Sequence, residues 1–280
     1  MTAIALSLGA ALCWGVSDFG GGLSSRRVPV PVVLLWVEGA GLLYALAAVL
    51  IAGQGPPDAR SLAFGAIGGL AGVAGLSAFY RALAIGTMSI VAPVSATGVT
   101  LPVIVGIATG NRIGAVVAVG LVVTFAGVLL ASREEALEEE RARASRTAFA
   151  LALLSAVGFG CWFVFGDVAA DGSVLWLLVT GRLAALPLLA AVLRGRRIGA
   201  VPPRRVAVVL CGCAAFDLGA NGLYGLANTE GALAIVSVVG SLYPLTTVLL
   251  ARLVLHERIT PTQALGVAAA FVGVGMVSAG

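Results

Sequence analysis

Apolar residues run along this chain in long stretches, and short polar segments separate them. Ten stretches reach the ~20 residues that a helix needs to cross the hydrocarbon core of a bilayer. The strongest polar segment, REEALEEERARASR at 133–146, has nine charges and is interpreted as a solvated linker. We predict ten membrane helices, at residues 3–23, 31–53, 62–83, 87–108, 113–132, 147–167, 173–193, 204–225, 231–254 and 260–279.

The second half of the chain repeats the first. Cys13-Trp14 matches Cys161-Trp162 near the start of each half, and Tyr80 matches Tyr224. The repeat predicts one unit at 1–132, the linker at 133–146 and a second unit at 147–280. Because five helices is an odd number, consecutive copies must lie in opposite orientations across the bilayer. We therefore predict an all-α membrane protein whose ten helices form two inverted five-helix repeats.

Composition agrees with a membrane protein. The chain is 60% hydrophobic and 11% charged, whereas soluble domains have about 25% charged residues. The net charge of +4 comes from arginine alone and does not indicate nucleic acid. Twelve arginines lie in loops after odd-numbered helices and two in loops after even-numbered ones. This bias predicts cytoplasmic odd loops, with both termini outside. Abundant Ala, Gly and Val suggest a bacterial protein, for which we expect the inner membrane.

The second repeat contains a recognisable pattern. It resembles the EamA repeat of the drug/metabolite transporter superfamily through Leu226-Ala227, Ala232, Pro244, Glu257-Arg258-Ile259-Thr260, Gln263, Gly266 and Gly273-Val274. The first repeat has parts of the same pattern, in Ala82-Leu83, Pro93, Pro102, Gly120 and Gly127-Val128. The resemblance implies ten helices and a transporter of amino acids, nucleobases, drugs or similar metabolites, with export the common direction.

Two departures from the family pattern stand out. The first repeat has Asn111 at the position where the second repeat has Glu257. The family often has arginine in the second helix of each repeat; Arg182 fills that position in the second half, whereas Glu38 occupies it in the first. For Glu257 itself, we expect a cap on the helix that follows it, because a carboxylate suits the positive end of a helix dipole.

Ionisable groups deep in a membrane cost ~2.5–3.5 kcal/mol each and are functional candidates by default. Glu38 and Arg182 lie near the middle of equivalent helices. They form either an ion pair that closes the helices together or a site for the two ends of a zwitterion such as an amino acid. Asp18 and Asp217 are candidates for substrate binding and proton coupling.

Aromatic and amide side chains complete the predicted substrate site. Its candidates are Trp14, Asp18, Glu38, Tyr80, Trp162, Arg182, Asp217, Asn221 and Tyr224. Three prolines are predicted within helices, where each would remove a hydrogen bond and form a kink or gate: Pro93, Pro102 and Pro244.

The predicted function is secondary transport of a small metabolite by alternating access around a cavity at the midplane, with efflux the expected direction. The alternatives are a membrane scaffold without transport activity and an intramembrane enzyme. The only histidine, His256, lies at a predicted membrane edge, and no zinc-protease or phosphate-loop pattern occurs. We predict no cofactor, metal or catalytic residue, and expect a monomer or homodimer in the bilayer with a small-molecule substrate and protons as coupling ion.

Overall fold

The computed structural model describes residues 2–108, 114–131, 139–170, 172–230, 239 and 242–279. Regular structure in these ranges is helical, without β-strands. The first half contains α1 (Thr2–Ser25), α2 (Val30–Ala52), α3 (Ala59–Ile85), α4 (Met88–Ala96), α5 (Thr100–Ala108) and α6 (Ala115–Ala131). The second half contains α7 (Glu139–Ala170), α8 (Val174–Gly195), α9 (Arg204–Glu230), α10 (Tyr243–Leu255) and α11 (Pro261–Ala279).

The helix predicted at 87–108 is interrupted. A 3-10 turn at Thr97–Val99 separates α4 from α5. Pro102 explains the interruption, because its nitrogen has no hydrogen to donate to the carbonyl of Gly98 and its ring crowds that carbonyl. Of the helix predicted at 231–254, residues 231–238, 240 and 241 lie outside the described part, and α10 accounts for the remainder.

The predicted linker is partly helical. Residues 133–138 lie outside the described part, but α7 already begins at Glu139, eight residues before the predicted start at 147. The added segment, EERARASR, is rich in glutamate, arginine and alanine, which favour helix without requiring an apolar surface. The helix at 139–146 agrees with the helix-favouring composition of the predicted linker, and its role in joining two repeats stays a prediction.

Within the described residues, six helices are long and apolar enough to cross a membrane, judged by length and composition: Thr2–Ser25, Val30–Ala52, Ala59–Ile85, Ser145–Ala170, Val174–Gly195 and Arg204–Tyr224. Shorter apolar helices occur at Met88–Pro102, Ala115–Leu130, Tyr243–Leu255 and Pro261–Val277.

The two halves pack mainly against each other. Helix α1 packs on α9, α3 on α7, α2 on α8, and α6 on α11. Glycine permits the closest approach: a Cβ on Gly158 of α7 would lie 2.5 Å from the Cα of Gly75 in α3. In lipid, small residues allow such contacts where no hydrophobic force drives helices together. The site described below therefore lies between helices of both halves.

Candidate functional site

Arg182 is the centre of the candidate site. It lies on α8 with its side chain 9% exposed. Its Nη2 donates to the Oδ2 of Asp217, on α9, over 2.6 Å. Its Nε lies 3.7 Å from the Oε2 of Glu38, on α2, within ion-pair range but without a hydrogen bond. The predicted proximity of Glu38 and Arg182 is thus observed, and Asp217 is the closer partner.

Two further features hold the guanidinium of Arg182 in place. Its Nη1 donates to the carbonyl of Leu178, one turn earlier on the same helix, over 3.1 Å. Gly41 of α2 leaves the necessary space, because a Cβ there would lie 2.5 Å from the Nε of Arg182. A buried guanidinium needs such partners, since desolvation of an unpaired charge is costly.

Asp18 adds a third carboxyl group to this region. It lies on α1, partly exposed, within Coulombic range of Asp217, Tyr80 and Cys213. No hydrogen bond or ion pair to Asp18 is found within the described residues. We name Asp18, Glu38, Arg182 and Asp217 the charged cluster. Its three carboxyl groups outnumber its one guanidinium, and a proton or a cationic ligand group can neutralise the excess negative charge.

Three aromatic rings lie together between α1, α9 and α10. The ring centroids of Trp14 and Tyr224 are 5.5 Å apart, and those of Trp14 and Tyr243 are 6.1 Å apart with the rings nearly edge to face. We name these three residues the aromatic cluster. Sequence reasoning missed Tyr243; its only signal was an aromatic side chain directly before Pro244.

The remaining predicted site residues are dispersed. The side-chain amide of Asn221 donates to the backbone carbonyl of Asp217 over 2.7 Å, so it lies next to the charged cluster. Tyr80 is 1% exposed, with its ring against Phe79 and Gly21, and in this structure it packs between helices without lining a cavity. Trp162 lies where α3 meets α7, with Gly72 next to its ring.

One of the three predicted prolines lies inside a helix, and the other two lie near the start of one. Pro93 lies within α4 and is buried, as predicted for a kink. Pro102 and Pro244 lie in the first turns of α5 and α10, at the third and second residues. A proline in the first turn removes no hydrogen bond of its own helix, because N–H groups there have no helical acceptor. Neither proline lies in the interior of the helix that contains it, and the predicted role of both as kinks or gates stays a prediction.

Glu257 connects the two halves. Its carboxylate accepts hydrogen bonds from the backbone N–H groups of Met88, over 3.0 Å, and Ser89, over 2.9 Å, at the start of α4. Arg26, after α1, donates to the same carboxylate over 3.3 Å and also to the carbonyls of Leu83 and Gly86. This Arg26–Glu257 contact joins three interhelical segments at one end of the bundle.

The expectation that Glu257 caps the following helix is wrong. Thr260 and Gln263 already cap α11 reciprocally: the backbone N–H of Thr260 donates to the Gln263 side chain, and that of Gln263 to the Thr260 hydroxyl. This is the geometry of a capping box. The carboxylate of Glu257 is therefore available to the N-terminus of α4, whose positive dipole end attracts it.

An all-helical protein with several long apolar helices and buried charges where its halves meet has the features of a multi-pass membrane transporter. Residues 146–279 match the EamA-like transporter family. The predicted resemblance to an EamA-type transporter is confirmed over these residues of the second half. The members of this family are transporters of small solutes.

Solved structures support the fold over the whole chain. Fifteen protein chains among the solved structures match this chain. One, titled only "Crystal structure of protein", has a TM-score of 0.64 at 17% identity, with 98% of this chain and 96% of that chain covered. At this identity the likeness concerns the fold alone. No curated protein sequence matches the chain.

Proposed function

We propose that this protein is a secondary transporter that moves a small metabolite, an amino acid or a similar organic solute, out of the cell by alternating access. One observation carries the proposal: Arg182 of the second half is buried between Glu38 of the first half and Asp217. Charges buried between two repeats cost folding free energy and are typical of substrate or ion pathways.

The contacts between helices support two inverted repeats with ten membrane crossings, in which α4 and α5 together form the fourth crossing. In such repeats α1 is equivalent to α7, α2 to α8, α3 to α9, and α4 with α5 to α10. The contact of α1 with α9 should then have a counterpart between α7 and α3, and both contacts occur. The same equivalence relates α1–α10 to α7–α4 and α2–α9 to α8–α3, which also occur. We place the first repeat at 1–132, the linker at 133–146 and the second repeat at 147–280.

The charged cluster suits a zwitterion. The guanidinium of Arg182 can grip a carboxylate with two parallel hydrogen bonds. The carboxyl groups of Asp18 and Glu38 can accept bonds from an ammonium group, and Asp18 and Asp217 can bind protons when the substrate has left. Asn221 and the rings of Trp14 and Tyr224 border this site, while Tyr80 and Trp162 support the helices behind it. We therefore include protons as the coupling ion.

The Arg26–Glu257 contact supports a gating step. It ties α4 to the segments after α1 and α10 at one end of the bundle. This is the end that the arginine bias assigns to the cytoplasm, with both termini outside. In the proposed cycle the contact breaks when the site opens to the cytoplasm, and Pro93 allows α4 to bend. One chain contains both repeats, so a monomer suffices, and a homodimer is the alternative. We place the protein in a bacterial inner membrane.

The test is counterflow in liposomes that contain the purified full-length protein. Labelled amino acids and nucleobases are offered with and without a pH gradient, beside liposomes that contain Arg182→Gln. Saturable exchange by the wild type that is lost in the variant would support the proposal. If neither the panel nor labelled choline exchanges and the wild type matches empty liposomes, the proposed transport function is wrong, and the scaffold or the intramembrane enzyme becomes the better explanation.

A further inference from the structure

The aromatic cluster stands beside the carboxyl group of Asp18, which lies one helical turn after Trp14 on α1. All four side chains are partly exposed, and Tyr243 is within Coulombic range of Asp18. We propose that Trp14, Tyr224, Tyr243 and Asp18 form a binding site for an organic monocation of the quaternary or tertiary alkylammonium class. This inference rests on the proposed transport function and names, among its organic solutes, a cationic class in addition to the zwitterionic one.

The three rings of the aromatic cluster can attract a cation. An aromatic face has negative electrostatic potential and attracts a cation within about 6 Å of its centroid. The ring of Trp14 is inclined by 49° to that of Tyr224 and by 69° to that of Tyr243, so the three rings form an angled wall and not a stack. An alkylammonium group suits such a wall, because its charge is spread over methyl groups that need few or no hydrogen-bond acceptors.

The charged groups near the rings leave the carboxyl group of Asp18 without a cationic partner in the described residues. Arg182 already has Asp217 and Glu38 as partners, whereas Asp18 has no ion-pair partner within the described residues. The titratable groups within Coulombic range of Asp18 are Tyr80 on α3, Cys213 and Asp217 on α9, and Tyr243 on α10. None of these groups is a cation. The carboxyl of Asp18 is therefore the one available to balance a positive ligand next to the rings.

The test compares two probes of nearly the same shape. Choline has a quaternary ammonium group, and 3,3-dimethylbutan-1-ol has a neutral carbon in its place. Binding of each to the purified full-length protein in detergent is measured by titration calorimetry. We expect saturable binding of choline and about tenfold or weaker binding of the neutral probe, because loss of the cation–ring attraction and of the charge pair is of this size.

Two variants test whether choline binding depends on Asp18 and Trp14. Asp18→Asn keeps the shape of the side chain, and Trp14→Leu removes the central ring; each should weaken choline binding about tenfold. Trp36→Phe is the matched control, because its indole N–H donates to the carbonyl of Ala200 at a loop, away from the cluster. Melting curves of each variant confirm folding, and if Trp14→Leu fails to fold, Asp18→Asn decides alone.

The outcomes separate this inference from the proposed transport function. Absent choline binding, equal binding of the two probes, or unchanged binding in Asp18→Asn would overturn the cation site. If amino acids still exchange in liposomes in that case, the transport proposal stands. If choline binds as expected but neither choline nor any panel compound crosses the membrane, the cation site stands and the transport proposal fails.

Discussion

Two helix interfaces between the halves, α3–α7 and α1–α9, are built from different chemistry. Glycine dominates the first: a Cβ on Gly158 would lie 2.5 Å from the Cα of Gly75, too close for a side chain. Polar groups dominate the second: the hydroxyl of Ser17 donates to the carbonyl of Cys213 over 3.0 Å, and Asp18 and Asp217 lie on its two helices.

The glycine contacts at α3–α7 stabilise the fold, whereas the carboxyl groups at α1–α9 do not. Glycine contacts hold helices together in lipid through close van der Waals packing. Carboxyl groups at a helix interface provide no such packing and cost free energy unless they are paired or protonated. Packing alone does not account for carboxyl groups on both helices of the α1–α9 interface. We infer that α3–α7 secures the fold and that the α1–α9 side contains the chemistry.

The largest effect is expected from Arg182→Gln, which removes the only cation of the charged cluster and leaves Glu38 and Asp217 without a partner. The variant also loses the guanidinium that would grip the substrate carboxylate, so substrate exchange in liposomes should fall by about a hundredfold or more. Arg182→Lys is the control for charge without the planar fork and should recover part of the exchange. Full exchange by Arg182→Gln would show that the cluster is structural.

The next effect tests the glycine interface. Gly158→Ala would place a Cβ 2.5 Å from the Cα of Gly75, and forcing the helices apart should destabilise the protein by about 1–3 kcal/mol. Gly219→Ala on α9 is the matched control, because no atom of the described structure lies within 4 Å of its Cβ position. Melting temperatures in detergent provide the comparison. Equal melting of the two variants would contradict a packing role for α3–α7.

A smaller effect is expected from Glu257→Ala at the Arg26–Glu257 contact. It removes the acceptor for two backbone N–H groups of α4 and the partner of Arg26, which should cost ~1 kcal/mol of stability. Glu257→Gln keeps an acceptor oxygen and should lose less. If the contact is a gate, both variants also change the exchange rate in liposomes, while Gly219→Ala does not. An unchanged rate in Glu257→Ala would limit the contact to capping.

The smallest effect concerns Asp58, which caps the exposed N-terminus of α3. Hydrogen bonds from the side chain and backbone of Ser61 lower the pKa of the Asp58 carboxyl below its ordinary value of 3.8. A carboxyl whose pKa is lower in the folded protein contributes stability above its unfolded pKa, and this contribution is lost as the pH falls through its folded pKa. We expect a small fall in melting temperature between pH 5 and pH 3 that is reduced in Asp58→Asn, which cannot titrate; identical pH dependence would contradict the role of the cap.

Much of the fold could be predicted from sequence because membrane helices are set locally. Each apolar stretch must satisfy its own backbone hydrogen bonds in lipid, so its length and boundaries follow from composition. The exception is also local: Pro102 interrupts the helix predicted at 87–108, which the structure divides into α4 and α5. The proximity of Glu38 and Arg182 could be predicted because the two residues occupy matching positions near the middle of apolar stretches in the two halves of the sequence.

The sequence by itself determined the apolar helices and the resemblance to the EamA-like transporter family, because these depend on composition and order along the chain. Only the tertiary structure decided that Asp217 is the close partner of Arg182, that Tyr243 joins Trp14, that Tyr80 is buried, and that Glu257 caps α4 of the opposite half. These contacts join helices from distant parts of the chain. They depend on the rotation and crossing of packed helices, and the spacing of residues along one helix contains no information about either.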